Sequence, residues 1–191
     1  MRTIKQNLRQ ALSQRHKQHV VDASRVPSAV LVPVYYKQGQ YYILFTKRTE
    51  LVREHKGDIS FPGGAYQEGD ETLANTALRE CSEEIGLTAG DVEILGELDD
   101  TITTSSNYII SPFVAFIPSP YQFTLNAEEA EEIIEIPIST LSDKGCLRQE
   151  TETIGGKIVT SPLYYYQGRI IHGATARILN QFLDIFDRVK K

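Results

Sequence analysis

The chain has 191 residues, of which 41% are hydrophobic and 24% are charged, and its formal net charge is -5. This composition predicts one globular domain over residues 1–191, and it argues against nucleic acid as a partner because no basic stripe offsets the acids. No apolar run reaches the length of a signal peptide or a membrane span, so we expect no membrane partner and a cytoplasmic location. Cys81 and Cys146 form no recognisable disulfide framework, which favours a reducing compartment.

The first half of the chain predicts a helix followed by a β-hairpin. Apolar residues recur four apart over residues 4–16, which is typical of a short amphipathic helix. β-branched and aromatic residues dominate 29–36 and 41–46, and the glycine-containing link between them predicts a hairpin. A short strand at 59–61 then leads into a Pro-Gly-Gly turn at 62–64.

The segment after this turn predicts a helix whose carboxylates are crowded. At roughly 100° per residue, Glu83 and Glu84 lie about 60° behind and about 40° ahead of Glu80, so all three share one arc. Glu80 and Glu84 also continue a row of apolar residues at the core margin, where a partly desolvated carboxylate needs a partner. Magnesium, which prefers oxygen ligands, is one such partner. A solvated acidic face with Arg79 as its counter-ion is the alternative. The apolar face of this helix comprises Leu73, Ala74, Ala77, Leu78, Cys81 and Ile85.

The second half of the chain predicts further strands and a closing helix. Pro112 predicts that its strand is an edge strand or a bulged one, because proline cannot donate to a β-ladder. Since helices bracket the strands, the sequence predicts an α/β fold in which a mixed β-sheet is sandwiched between α-helices. The predicted strands are 92–98, 108–117, 133–138, 145–154 and 157–166, and the predicted helix is 173–189.

The acidic helix and the turn before it resemble the signature of the Nudix hydrolases, which cleave a nucleoside diphosphate linked to another group. The matching residues are Gly64, an acid at Asp70 or Glu71, and the run Arg79-Glu80-Cys81-Ser82-Glu83-Glu84-Ile85-Gly86-Leu87. Asp70 has the usual spacing from the glycine and Glu71 the usual spacing to the arginine, so the chain carries one extra residue. The coenzyme A diphosphatases in this family are similar to the chain in that insertion and in the stretch from 44 to 62.

This resemblance implies the Nudix fold and a hydrolysis of coenzyme A or acyl-CoA to 3′,5′-ADP and 4′-phosphopantetheine or its acyl derivative. It implies Mg²⁺ or Mn²⁺ as the cofactor, with Arg79 orienting the glutamates that bind it. Asp70 and Glu71 compete for the first acidic position of the motif, and one of them would cap the helix. The implied metal ligands are the backbone carbonyl of Gly64 and the carboxylates of Glu80, Glu83 and Glu84.

The general base and the substrate-binding residues are further implications. The base lies on the metal-site helix or in the acidic cluster at 128–132, where the resemblance favours Glu129 and Glu132, and a solvated charge run is the alternative. Basic residues upstream of the Gly-Gly turn are candidates for holding the diphosphate or a 3′-phosphate, because arginine pairs well with phosphate. These candidates are Arg48, Arg53 and Lys56, together with His55, for which a structural hydrogen bond is the alternative.

Two other functions stay open at this point. One is a diphosphatase for another nucleotide, such as ADP-ribose or a dinucleotide. The other is a non-catalytic module that binds a nucleotide as a sensor, although the three intact glutamates count against it. In each case the partner is a small nucleotide, and the protein is a monomer or a homodimer, since Tyr164–Tyr166 suit either an edge strand or a dimer surface.

Overall fold

The computed structural model describes residues 3–49, 57–104, 106–154 and 157–190. Within these ranges the α-helices are α1 (Ile4–Gln14), α2 (Leu73–Ile85), α3 (Ile138–Leu141) and α4 (Gly173–Val189), and two 3₁₀ helices cover Glu68–Asp70 and Ala89–Asp91. The strands are β1 (Val26–Lys37), β2 (Gln40–Arg48), β3 (Ile59–Ser60), β4 (Gly63–Ala65), β5 (Glu93–Glu97), β6 (Thr101–Ile102), β7 (Tyr108–Phe116), β8 (Ala130–Pro137), β9 (Leu147–Ile154), β10 (Lys157–Tyr166) and β11 (Arg169–Ile171).

The larger sheet is mixed and is built around β1. This strand runs parallel to β7 on one side, with Val30 opposite Pro112, and antiparallel to β2 on the other, with Val34 opposite Ile43. β8 pairs with the opposite side of β2, and β5 and β6 both pair with β7. β9, β10 and β11 form a separate antiparallel sheet.

β1 and β2 pair at their hairpin end, and the chain from 59 to 65 fills the space between their other ends. There β3 pairs with β2, while β4 pairs with β1 so that Gly63 lies opposite Val30. Gly63 has a φ of 151°, and a Cβ at this position would lie 2.6 Å from the Cα of Val30, so only glycine fits. The insertion of β3 and β4 between the two strands places Gly64 directly beside Glu80 of α2.

The sheet has an apolar core on each face, because alternate residues of a strand point to opposite sides. Leu31 of β1 belongs to the core beneath α2, together with Cys81. Val32 belongs to the core on the other face, together with Leu8 of α1 and Phe182 of α4. Helices therefore cover both faces of a mixed sheet, which confirms the predicted fold class.

The prediction that Pro112 marks an edge strand is wrong, because β7 lies inside the sheet between β1 and β5. The carbonyl of Pro112 accepts a hydrogen bond from the N–H of Leu98, where the chain passes from β5 to β6. In a strand, the nitrogen and the carbonyl of one residue point to the same neighbouring strand. The proline nitrogen, which has no hydrogen to donate, therefore faces Leu98, and the pairing of β7 with β1 loses no hydrogen bond. The irregularity in the pairing falls on β5, between Ile94 and Gly96.

The elements that the sequence did not predict are short. They are β4, β6, β11, α3 and two 3₁₀ helices, each of two to four residues, and elements this short show no repeating apolar pattern in the sequence. In the described ranges, no helix combines the length and the apolar character that crossing a membrane requires.

Candidate metal centre

α2 begins and ends at residues that fix the placement of its glutamates. The Thr72 hydroxyl accepts a hydrogen bond from the N–H of Asn75 and so caps the N-terminus. At the other end Gly86 adopts a φ of 67°, and its N–H donates to the carbonyl of Ser82. The two caps set the bounds of α2. Within these bounds Glu84 lies in the last turn and is buried, with 4% of its surface exposed.

Arg79 joins the loop before α2 to the acidic face of the helix. Its Nε donates to Asp70 Oδ1 at 2.7 Å and its Nη2 to Asp70 Oδ2 at 3.1 Å, which is a bidentate pair. Its Nη1 lies 2.8 Å from Glu80 Oε1 and 2.9 Å from Glu83 Oε2. Hydrogen bonding to Arg79 holds the pKa of the Asp70 carboxyl well below its usual range. Arg79 is thereby fixed between carboxylates on both sides, and its orienting role remains a prediction.

The extra residue between Gly64 and Arg79 is accommodated at Glu71. Asp70 is buried and accepts a hydrogen bond from Thr76 Oγ1 at 2.9 Å, whereas Glu71 is exposed and has a φ of 60°. A positive φ is uncommon for a residue with a side chain. Here it lets the backbone take up the extra residue at Glu71, between Asp70 and the start of α2. Asp70 therefore meets Arg79, and Thr72 caps α2, so the prediction that one of the two acids caps the helix is wrong.

Three carboxylates converge on one point beside the Gly-Gly strand. Glu80 and Glu84 of α2 and Glu129 from the loop before β8 each place an oxygen within 4.8 Å of the others. Gly64 lies against this cluster, because a Cβ there would be 2.5 Å from the Cδ of Glu80. Glycine is therefore needed at position 64 for the close approach of the strand to the carboxylate.

Glu84 is a buried carboxylate whose charge is only partly compensated by the described residues. Its Oε2 is buried and makes no hydrogen bond within the described ranges. Burial, together with the charges of Glu80 and Glu129, raises its pKa to about 8, although the charge of Arg48 acts in the opposite direction. Burial likewise raises the pKa of Glu80. A hard divalent cation fits this arrangement, because it would bind the free oxygen and relieve the repulsion.

Glu129 is held in the cluster by a loop that is anchored to the end of α2. Asn126 Nδ2 donates to Glu129 Oε1 at 3.0 Å. The backbone N–H groups of Asn126 and Thr124 donate to the carbonyls of Glu84 and Ile85 at 2.9 and 3.0 Å. The last carbonyls of the helix, which have no helical partner, thus fix the loop that carries the third carboxylate.

Two of the predicted acidic residues lie outside this cluster. Glu83 is half-exposed and pairs with Arg79, so its oxygens are not part of the group. Glu132 pairs with Arg169 on β11, at 2.7 and 3.0 Å. Between the two candidates for the general base in the cluster at 128–132, only Glu129 lies beside the carboxylates of α2.

The carboxylate cluster opens into a cleft of about 570 Å³, a size typical of small-molecule sites. Arg48 lines this cleft, and its buried Nε makes no hydrogen bond in the part of the chain that the structure describes. Asp58 and His172 also line it, with His172 Nε2 3.3 Å from Asp58 Oδ1. The other predicted substrate-binding residues, Arg53, His55 and Lys56, lie outside the described residues.

Sequence reasoning missed Asn126 as a residue of the site. A signal for it exists, because asparagine is common in turns, where its side chain bonds the backbone two residues further along the chain. Its Oδ1 indeed accepts from the N–H of Glu128 at 3.1 Å. The anchoring of this loop to α2 could not be read from local sequence.

Comparison with known proteins identifies relatives over most of the chain. The model of a family described as NUDIX domain matches residues 25–150. The Nudix hydrolase NudL of Yersinia pestis (strain Pestoides F), described as uncharacterized, is 34% identical over 164 residues, covering 84% of this chain and 80% of that protein.

Two solved structures show the same fold. A MutT/nudix family protein from Enterococcus faecalis superposes with a TM-score of 0.55 at 14% identity, covering 99% of this chain and 70% of that one. The NUDIX domain of Shewanella oneidensis NrtR, solved in complex with ADP ribose, gives a TM-score of 0.51 at 18% identity, covering 63% and 77% of the two chains.

Replacing Gly64 with alanine should disrupt the cluster without unfolding the protein. The added Cβ would overlap the Glu80 carboxylate, so we expect Mn²⁺ affinity, measured by calorimetry, to fall at least tenfold, about 1.4 kcal/mol. The Gly69→Ala variant is the control, because a Cβ there meets no atom within 4 Å. Equal Mn²⁺ affinity for G64A and the wild type would contradict the account.

Replacing Glu84 with glutamine should stabilise the protein when metal is chelated. The folded-state pKa of about 8 lies above the ordinary value of 4.5, so the wild type loses stability as pH rises from about 4.5 to about 8. At pH 8 in EDTA we expect E84Q to unfold about 3–10 °C above the wild type, with similar midpoints near pH 4.5. The exposed Glu128→Gln variant should follow the wild type at every pH, whereas identical profiles for E84Q and wild type would refute the assignment.

Proposed function

The chain belongs to the NUDIX domain family and is a Nudix hydrolase that acts on nucleotide diphosphate derivatives, and from this premise we propose that its substrate is coenzyme A or an acyl-CoA. Water attacks one phosphorus and the P–O–P linkage breaks, which releases 3′,5′-ADP and 4′-phosphopantetheine or its acyl derivative. We propose Mg²⁺ or Mn²⁺ as the cofactor.

The observation that carries the proposal is the convergence of Glu80, Glu84 and Glu129, with a buried Glu84 oxygen that accepts no hydrogen bond from the described residues. A divalent cation held there supplies neutralisation of the diphosphate charge and activation of water. Glu80 and Glu84 would hold it, and the carbonyl of Gly64 and the carboxylate of Glu83 are the further predicted ligands. An uncompensated cluster of three carboxylates, of which Glu84 is buried, would instead be a net cost to folding.

The remaining residues of the site have separate tasks in this reaction. Arg79, fixed by Asp70, orients Glu80 and limits the freedom of its carboxylate. Glu129 is our candidate for the general base, since it comes from a different element than the α2 glutamates and keeps one oxygen clear of the hydrogen bond from Asn126. Arg48 stands at the wall of the cleft, where its guanidinium would meet the phosphate oxygens.

Two features favour coenzyme A as the substrate within the family. The stretch from 44 to 62 resembles the motif of coenzyme A diphosphatases, and Arg48 within it lines the cleft. The extra residue between Gly64 and Arg79 is the second feature, and the backbone accommodates it at Glu71 while Asp70 keeps its pairing with Arg79. The insertion therefore leaves the carboxylate cluster of Glu80, Glu84 and Glu129 intact.

A hydrolysis screen tests the proposed substrate. With Mg²⁺ present, we expect kcat/KM for coenzyme A to exceed the values for ADP-ribose and NADH. The Glu84→Gln variant should lower it by about 10²–10³-fold, the scale of a lost electrostatic group at an active site. A higher kcat/KM for ADP-ribose or NADH than for coenzyme A would contradict the proposed substrate and identify that compound as the preferred one. No cleavage with any divalent metal would instead favour the sensor module.

A paired substitution tests the assignment of the general base. Glu129→Gln removes a carboxylate from the cluster, so we expect kcat to fall by about 10²–10⁴-fold with a small change in the unfolding midpoint. Glu132→Gln is the matched control on the same acidic run, because its carboxylate pairs with Arg169 outside the site, and kcat should stay within about threefold. A larger loss of kcat in E132Q than in E129Q would reverse the assignment.

A further inference from the structure

The cleft has a second charged wall that the proposed chemistry does not use. It is formed by the first turns of α4 and the turn after β6, and Arg177 lines it together with Thr104, Ser106 and Thr175. The carboxylates of Glu80 and Glu84 line the same cleft, so one bound molecule could touch both groups.

Arg177 is a partly buried cation without an acidic partner in the described ranges. Its Nη2 donates to the backbone carbonyl of Ile102 at 2.6 Å, and this is its one hydrogen bond to those residues. Burial lowers the pKa of its guanidinium, and no neighbouring carboxylate acts in the opposite direction. The arginines that join α1 and α2 to the rest of the protein are different, since Arg9 and Arg79 each pair with a carboxylate.

A desolvated guanidinium without a counter-ion is costly, and a bound anion would offset that cost. One hydrogen bond to a carbonyl leaves most of the five donors of an arginine available, in the planar fork that matches phosphate oxygens. The hydroxyls of Thr104, Ser106 and Thr175 add neutral donors along the same wall. In the described ranges Arg177 contacts a neutral carbonyl and no carboxylate, so no direct ion pair occupies its guanidinium.

We infer that Arg177, with the hydroxyls beside it, forms a subsite for a phosphate monoester carried on the nucleoside part of the substrate. The inference rests on the proposed function, because the 3′-phosphate of coenzyme A is such a group. It moves recognition of that phosphate from the basic residues upstream of the Gly-Gly turn to the first turns of α4. Arg177 then decides specificity and takes no part in the bond cleavage.

The enzymatic test compares coenzyme A with dephospho-coenzyme A, which differ by the 3′-phosphate alone. The ratio of their kcat/KM values in Mg²⁺ should favour coenzyme A in the wild type. Arg177→Gln, which keeps a donor for the Ile102 carbonyl, should reduce that ratio by about 10–100-fold, the scale of charged hydrogen bonds. Arg188→Gln is the control, because Arg188 is exposed on the same helix and its Nε also donates to a backbone carbonyl, that of Asp184 at 2.8 Å.

A binding test separates this inference from the proposed function. Calorimetry should show that the wild type binds 3′,5′-ADP more tightly than 5′-AMP, and that R177Q loses this difference while R188Q keeps it. Arg177→Lys keeps the positive charge but loses the planar guanidinium, so it should retain part of the difference. This variant replaces R177Q in the test if R177Q does not fold. If coenzyme A is not cleaved but the binding difference depends on Arg177, the subsite stands and the proposed function fails. An unchanged preference for the 3′-phosphate in R177Q and R177K overturns the inference.

Discussion

The mutual repulsion of three carboxylates at the edge of the core is the constraint on which the rest of the site depends. Glu80, Glu84 and Glu129 lie within 4.8 Å of one another, and Glu84 is almost fully buried. Charges this close and this desolvated separate or take up protons unless a cation joins them. The three carboxylates are held together, because Arg79 and the backbone at Gly64 confine Glu80 while Asn126 binds Glu129.

The fold supplies this confinement through the divergence of β1 and β2. The space between the two strands takes up β3 and β4, and β4 then passes close enough to α2 that no side chain fits at Gly64. The end of α2 contributes in a second way, since its unpaired carbonyls bind the loop that brings Glu129. The same helix therefore carries two of the carboxylates and anchors the third.

The sequence predicted the parts of this arrangement that depend on local pattern. Helical spacing placed Glu80 and Glu84 at a core margin, and the apolar face of α2 is buried as expected through Ala77, Cys81 and Ile85. The periodicity of 173–189 gave the bounds of α4. Glu83 shares the helical arc with its neighbours, yet its carboxylate pairs with Arg79 and lies outside the cluster, and helical geometry alone does not contain that information.

What the sequence could not predict depends on contacts between distant segments. The position of Pro112 inside the sheet follows from the crossing between β5 and β6, which has no local signature. The choice of Asp70 over Glu71 follows from a positive φ at Glu71, which the spacing of the motif left open. Glu129 and Glu132 belong to the same acidic run, and they differ because Asn126 holds the first beside the cluster while Arg169 pairs with the second.

The most direct test of the account is anomalous diffraction from a crystal grown with Mn²⁺. The account predicts an anomalous peak within about 2.0–2.6 Å of oxygens from both Glu80 and Glu84, as expected for a hard divalent cation with carboxylate ligands. Glu129 would lie beside that peak, either as a ligand or one water away. A fully occupied Mn²⁺ peak elsewhere, with Glu84 left unliganded, would contradict the central claim.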